Sequence, residues 1–221
     1  MGSRVELTAS DGHILSAYRA DPQDEARGGI VVVQEVFGVN EHVRGVCDGY
    51  AADGYAVVAP ALFDRVKQGV ELGYEGADLT HGREFRAELG WDNPLLDVEA
   101  AAAVLRPVGK VAVIGYCFGG SVAWLAATRL VVDAAVGYYG GQVADFIEEE
   151  PKCPVLLHFG ESDAFIPIES VDKVQERRPD IPLYRYPAGH GFNCESRADY
   201  HEESAKRART RTLDFIRLHI G

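Results

Sequence analysis

Apolar residues in this chain fall into short, nearly continuous runs separated by longer stretches with helical spacing. Residues 29–34, 56–59, 110–114, 134–138, 155–159 and 183–186 are such runs, rich in Val, Ile, Leu and Ala. Continuous β-branched runs suit strands buried on both faces of a parallel sheet. Two earlier segments, 4–8 and 14–18, alternate polar and apolar instead, and Asp11-Gly12 lies between them as a hairpin turn signal. They predict an antiparallel edge.

Helical patterns occupy the intervals. Asn40 is placed to cap a helix over 41–53, and Asn93-Pro94 gives a cap and first-turn signal ahead of 95–105. Residues 168–178 and 198–219 carry apolar positions at helical spacing, with Leu213, Ile216 and Ile220 near one face. Residues 64–91, rich in Gly, Glu and Arg, are the least regular part. They read as a lid or pocket wall, and equally as a solvated loop or surface helix. The alternation predicts a three-layer α/β fold: a mostly parallel central sheet, helices on both faces, right-handed crossovers. With 221 residues and no linker, residues 1–221 are expected to form a single domain.

Composition narrows the function. A hydrophobic content of 47% is ordinary for a globular chain, while the net charge of −12 opposes a general nucleic-acid or anionic-membrane surface. No stretch has the roughly 18 consecutive apolar residues of a membrane span, and the N-terminus lacks a secretion-signal core. The four cysteines, Cys47, Cys117, Cys153 and Cys194, show neither a C-x-x-C pair nor a zinc-site spacing. A reducing cytoplasm, no disulfide framework and no metal are therefore expected.

Residues 115–119, Gly-Tyr-Cys-Phe-Gly, read G-x-C-x-G between an apolar run and a helical stretch. That context is a nucleophile elbow with Cys in place of Ser, although an isolated G-x-C-x-G also fits a packing cysteine at a strand end. Asp163 follows the run 155–159, and His190 follows the run 183–186 in a glycine-flanked loop, so both stand beyond strand C-terminal ends. The order Cys117, Asp163, His190 is the nucleophile–acid–histidine order of α/β-hydrolases. Singly, each reads as a turn acid or a loop histidine; jointly they suit nucleophilic catalysis. Backbone N–H groups near Val36 and Phe118 are the candidate oxyanion donors. Glu35 lies beside them, where a carboxylate could accept the thiol proton; position alone favours a strand-end acid bonded to backbone or to an arginine.

Together with residues 34–40, 115–120, 135–140 and 188–192, Asp163 makes the chain resemble the dienelactone hydrolase family (carboxymethylenebutenolidases) over residues 5–215. The resemblance implies a compact α/β-hydrolase without a large cap, usually monomeric. It implies a Cys117–Asp163–His190 triad with Glu35 as auxiliary carboxylate, hydrogen-bonded to the resting thiol. It also implies hydrolysis of an enol-lactone to maleylacetate in degradation of chlorinated aromatics, without metal or organic cofactor.

The chain departs from that family at Cys194, four residues past His190, where family members carry a carboxylate-binding arginine. Arg197 is nearby, and Arg83 and Arg86 are candidates for a second family arginine or, equally, surface helix residues. Tyr139, with Tyr138 and Trp91, is either a pocket residue or core. His158 reads as a core-strand histidine, Cys47 and Cys153 as packing residues, and Arg207, Arg209 and Arg211 as a solvated helix face. Two alternatives to a dienelactone-like hydrolase stay open: a promiscuous short-chain carboxylesterase or thioesterase, and a catalytically silent binding protein.

Overall fold

The computed structural model describes residues 2–221. Its strands are β1 (Ser3–Thr8), β2 (Ile14–Ala20), β3 (Gly29–Val33), β4 (Ala56–Pro60), β5 (Val111–Tyr116), β6 (Ala134–Tyr138), β7 (Val155–Gly160) and β8 (Leu183–Tyr186). They form one sheet in the order β1-β2-β4-β3-β5-β6-β7-β8. The hairpin β1–β2 and the β2–β4 pair are antiparallel, and every pair from β4 to β8 is parallel. All eight predicted strands are present, in the expected mostly parallel arrangement.

Burial explains the pattern. Every residue of β3, β4, β5, β6 and β7 is buried, whereas β1 alternates because one of its faces meets solvent. Each buried Val, Ile or Leu stabilises the fold by about 1.5–3 kcal/mol relative to exposure. The helices are α1 (Glu41–Ala52), α2 (Ala77–Leu89), α3 (Asp92–Leu105), α4 (Phe118–Arg129), α5 (Ile168–Arg177) and α6 (Glu202–Ile220). Asn40 caps α1, its side-chain oxygen accepting from the Val43 N–H at 3.3 Å.

Three expectations need correction. Helix α3 starts at Asp92, so Asn93 lies inside its first turn and donates to the Leu89 carbonyl at 3.2 Å instead of capping. Helix α6 starts at Glu202, capped by His201, because residues 191–200 form turns. Arg209 and Arg211 are not solvated: Arg209 pairs with Asp53 over the Tyr50 ring, and Arg211 lies 3.9 Å from the Tyr184 ring centroid. Of that cluster only Arg207 keeps a largely exposed side chain, 55% accessible.

The irregular segment resolves into a short 3-10 turn at Leu62–Arg65, a loop, and α2. Gly76 precedes α2 without any side-chain cap, which is why the sequence carries no start signal. Helix α2 presses onto the loop after β3 at Gly82: a Cβ there would stand 2.0 Å from the Val36 carbonyl oxygen. Only glycine permits that approach. The segment is therefore a pocket wall.

Candidate active site

Parallel pairing brings the C-terminal ends of β3, β5, β7 and β8 to one edge, the usual place for sites in open α/β sheets. Cys117 follows β5 directly and has φ 55° and ψ −118°, a left-handed conformation costly for a residue with a Cβ. Its N–H donates to the Tyr138 carbonyl at 3.0 Å, pinning the turn to β6. Glycine on either side is a steric requirement. A Cβ on Gly115 would stand 1.8 Å from the Gly119 oxygen, and one on Gly119 would stand 2.3 Å from the Val33 oxygen. The strained turn thus lifts the thiol above the sheet edge at the start of α4.

His190 reaches that thiol from the loop after β8. Its Nε2 lies 3.1 Å from Cys117 Sγ and its Nδ1 lies 2.7 Å from Asp163 Oδ2. The other oxygen of Asp163 accepts from the Phe165 and Ile166 N–H groups at 2.8 and 3.0 Å, so the carboxylate is fixed by its own loop. Side-chain exposures of 7% for His190 and 1% for Asp163 keep water off this line. Burial opposes charge on His190, but the electrostatic pull of the Cys117 sulfur and the bonds to Asp163 and Cys117 outweigh it. Together they push His190 up to about 10.

Cys117 and His190 sit at one end of a cavity of about 240 Å³. A larger groove, about 870 Å³, runs between α1, the loop before α2 and the start of α6, away from the thiol. Size does not single out the site; the smaller cavity holds the Cys117–His190 pair. Val36 and Phe118 line it, and neither donates its N–H to a backbone carbonyl in the turns and loops of the described residues. At the first residue of α4, Phe118 has no intrahelical acceptor. Arg83, Arg86 and Arg197 line the same cavity. Arg83 lies 5.2 Å from the Phe165 ring centroid and Arg86 lies 4.4 Å from that of Trp91, so aromatic faces hold both guanidinium groups.

Glu35 differs from the resemblance-based expectation. It is 1% exposed and its Oε1 accepts from Arg197 Nη1 at 3.2 Å, while the hydrogen-bond partner of the thiol is His190. The Arg197 side chain is largely buried next to Glu35 and needs a counter-charge there, which is the arginine-bound reading that position alone favoured. Tyr139 is also corrected. It is fully buried and does not line the cavity, because its left-handed backbone (φ 39°) turns the ring inward against His190 and Phe192. It supports the imidazole from behind. His158 is the core histidine expected, bonded to Tyr186 and Thr212.

Sequence reasoning missed several residues that shape the site. Gln34 accepts from the Leu62 N–H at 3.1 Å and donates to the Glu35 carbonyl at 3.2 Å, fixing the loop that presents Val36. Leu79, Phe37 and Gln142 line the cavity, with the Gln142 N–H held by Ser121 Oγ at 3.0 Å. A fully polar residue ending an otherwise apolar strand run was the one available signal, at Gln34.

Sheet order, the strand–turn–helix elbow and the Cys117–His190–Asp163 line define an α/β-hydrolase fold with a cysteine at the elbow. The dienelactone hydrolase family profile matches residues 15–220, and the chain belongs to that family. It is 33% identical over 229 residues to a carboxymethylenebutenolidase of Pseudomonas putida, covering 96% of this chain and 94% of that protein. With carboxymethylenebutenolidase 1 of Cupriavidus pinatubonensis it shares 29% identity, covering 97% and 96%. A crystal structure from Klebsiella pneumoniae subsp. pneumoniae, carrying the provisional name dienelactone hydrolase, superposes with a TM-score of 0.79 at 30% identity, covering 96% of this chain and 98% of that one. The dienelactone hydrolase-like promiscuous phosphotriesterase P91, from metagenomic libraries, shares the fold with a TM-score of 0.75 at 20% identity, over 100% and 99% of the two chains. Family membership makes the protein a hydrolase acting on ester or lactone bonds. Among the described residues no helix is long and apolar enough to cross a membrane.

Proposed function

We propose that this enzyme hydrolyses a small carboxylate-bearing ester or enol-lactone, of the dienelactone type, through a Cys117–His190–Asp163 triad and a thioacyl intermediate. The observation that carries this reading is the unbroken line from Asp163 Oδ2 through His190 to Cys117 Sγ, ending in a cavity rimmed by three arginines. A volume near 240 Å³ suits a substrate of about ten heavy atoms, below the usual drug-sized range.

In this scheme the protonated His190 stabilises Cys117 as a thiolate, which attacks the ester carbonyl carbon. The N–H groups of Val36 and Phe118 receive the developing oxyanion. Collapse breaks the acyl–oxygen bond, and the oxygen leaves as an enolate that takes the proton from His190 Nε2. Neutral His190 then removes a proton from water, and the hydroxide attacks the thioester. Collapse releases the carboxylic acid, and the proton held by His190 restores the thiolate–imidazolium pair. A thiolate is a better leaving group than an alkoxide, so the scheme favours activated esters such as enol-lactones over amides.

Arg197 supplies the carboxylate contact that Cys194 does not, reaching the cavity from the next turn while Glu35 holds its other edge. Arg86 and Arg83 give a second cationic wall. Glu35 is thus a positioning residue for Arg197 in the resting enzyme. The reading includes a monomer and a reducing compartment, which preserves the four unpaired cysteines.

The test is steady-state hydrolysis of cis- and trans-dienelactone beside a neutral enol ester, with wild type and Cys117→Ala. Cys117-dependent turnover of dienelactone with clear preference over the neutral ester supports the reading. Turnover of the neutral ester alone would move the enzyme to a short-chain carboxylesterase, and no turnover with an alkylation-inert thiol would leave a silent binding protein.

A further inference from the structure

Behind the catalytic cavity lies a group of side chains that the hydrolytic scheme does not use as ligands or acids. Cys194 Sγ, one ring nitrogen of His42 and one oxygen of Glu35 lie within 4.8 Å of one another. They come from three places: the turns after β8, the first turn of α1, and the loop after β3. Two polar atoms of these residues are buried without a hydrogen-bond partner, Glu35 Oε2 and His42 Nε2. Glu35 is 1% exposed and Cys194 is 0% exposed. A buried carboxylate oxygen and a buried ring nitrogen left unpaired are destabilising, so an occupant that contacts both would be stabilising.

We propose that Glu35, His42 and Cys194 form a binding site for a borderline divalent transition metal of the zinc class. One sulfur, one nitrogen and one oxygen donor suit zinc, and a thiolate excludes magnesium and calcium as preferred occupants. Metal–ligand bonds of about 2.0–2.3 Å place tetrahedral ligand atoms roughly 3.3–3.8 Å apart, so side-chain rotation of about an ångström closes the set.

The ligand states fit. His42 Nε2 is buried without a hydrogen-bond partner, so that ring nitrogen is free to coordinate. Cys194 is a buried cysteine outside any disulfide, so its sulfur is available to a metal. On binding, the sulfur–metal bond forms as the S–H bond breaks and the proton passes to solvent, with no change of oxidation state. The Cys194 thiolate and the Glu35 carboxylate, which also pairs with Arg197, offset most of the metal's charge. Arg197 stays on the other oxygen of Glu35, where it orients that ligand from outside the coordination shell. An entry path exists, because His42 and Tyr74 line the 870 Å³ groove. Neither Cys194 nor His42 lines the catalytic cavity, so the metal would tie α1 to the two loops flanking the active site without touching the reacting atoms.

The sequence gives no warning of this set, since its members stand at positions 35, 42 and 194 with no metal-ligand spacing. The experiment uses the Cys117→Ala protein, so that the catalytic thiol cannot supply the sulfur. Gel-filtered protein should retain about one equivalent of Zn²⁺ with a raised melting temperature, and Co²⁺ should give a thiolate-to-metal charge-transfer absorption. Adding Cys194→Ser should abolish that absorption. Adding His42→Gln, at a half-buried position that tolerates the change, should weaken Zn²⁺ binding at least about tenfold. Failure to retain zinc, a cobalt spectrum without the sulfur band, or affinity unchanged in both added variants would overturn the proposal. So would a crystal soaked in Zn²⁺ that shows only a water between Glu35 and His42.

Discussion

Two buried histidines stand on neighbouring parts of the same sheet edge and behave in opposite ways. His158, inside β7, is 0% exposed and bonded only to hydroxyls, those of Tyr186 at 2.9 Å and Thr212 at 3.0 Å. Burial, reinforced by the Arg211 charge, pushes it down to about 3, so it is neutral. His190 is 6% exposed, yet an acid on one nitrogen and a thiol on the other push it up to about 10. Burial is nearly equal in the two places; the neighbours decide the charge. Hydroxyls can share a neutral ring's proton, and only groups that themselves become anions can hold an imidazolium in a dry site. In the proposed scheme one histidine serves packing and the other serves chemistry for that reason.

Stability should follow the same contrast, with opposite signs. The folded value of His190 is raised, so its contribution is complete below an unfolded value of about 6.5 and is lost as pH rises towards 10. His158 has a depressed folded value, so its contribution is complete above about 6.5 and is lost as pH falls towards 3. Denaturant midpoints measured across pH should show both limbs.

Substitutions can break the contrast one partner at a time. Cys117→Ala removes the sulfur that attacks in the proposed scheme and that faces His190: kcat should fall at least about 10⁴-fold, and the alkaline limb of the stability profile should move to lower pH. Asp163→Asn leaves the shape but removes the acceptor of the Nδ1 proton, and kcat should fall about 10²–10⁴-fold. Arg197→Gln leaves the triad intact. Its KM for a carboxylated ester should rise about 10–100-fold, the equivalent of a charge-assisted contact of roughly 1.5–3 kcal/mol, with little change for a neutral ester. His158→Leu should cost roughly 1–3 kcal/mol in denaturant unfolding, flatten the acid limb and leave kcat within about twofold.

What the sequence discloses, and what it hides, follows from how local each signal is. Strands buried on both faces announce themselves as β-branched runs, and an elbow announces itself because two glycines must flank one strained residue. Asp163 and His190 were legible because they follow runs whose strand character is plain. Helix α2 was not, since Gly76 caps nothing and only Gly82 and Leu89 of the helix are buried, leaving little period to read. The partner of Glu35 was hidden for another reason. The pairing with Arg197 spans 162 positions and depends on how the turns after His190 pack. Tyr139 was ambiguous until the left-handed turn after β6 fixed which way its ring points. Contacts between loops are set by tertiary packing, which a single sequence does not encode in any short pattern.

The sharpest test is a ¹⁵N imidazole titration of wild type and Cys117→Ala by NMR, reading His158 and His190 in the same spectra. Wild type should show His190 with both nitrogens protonated at pH 8 and His158 with one, and loss of the sulfur should lower the His190 titration while His158 stays unchanged. A neutral His190 at pH 8 in wild type, or a His190 titration indifferent to the loss of Cys117, would contradict the thiolate–imidazolium pair on which the proposed chemistry rests.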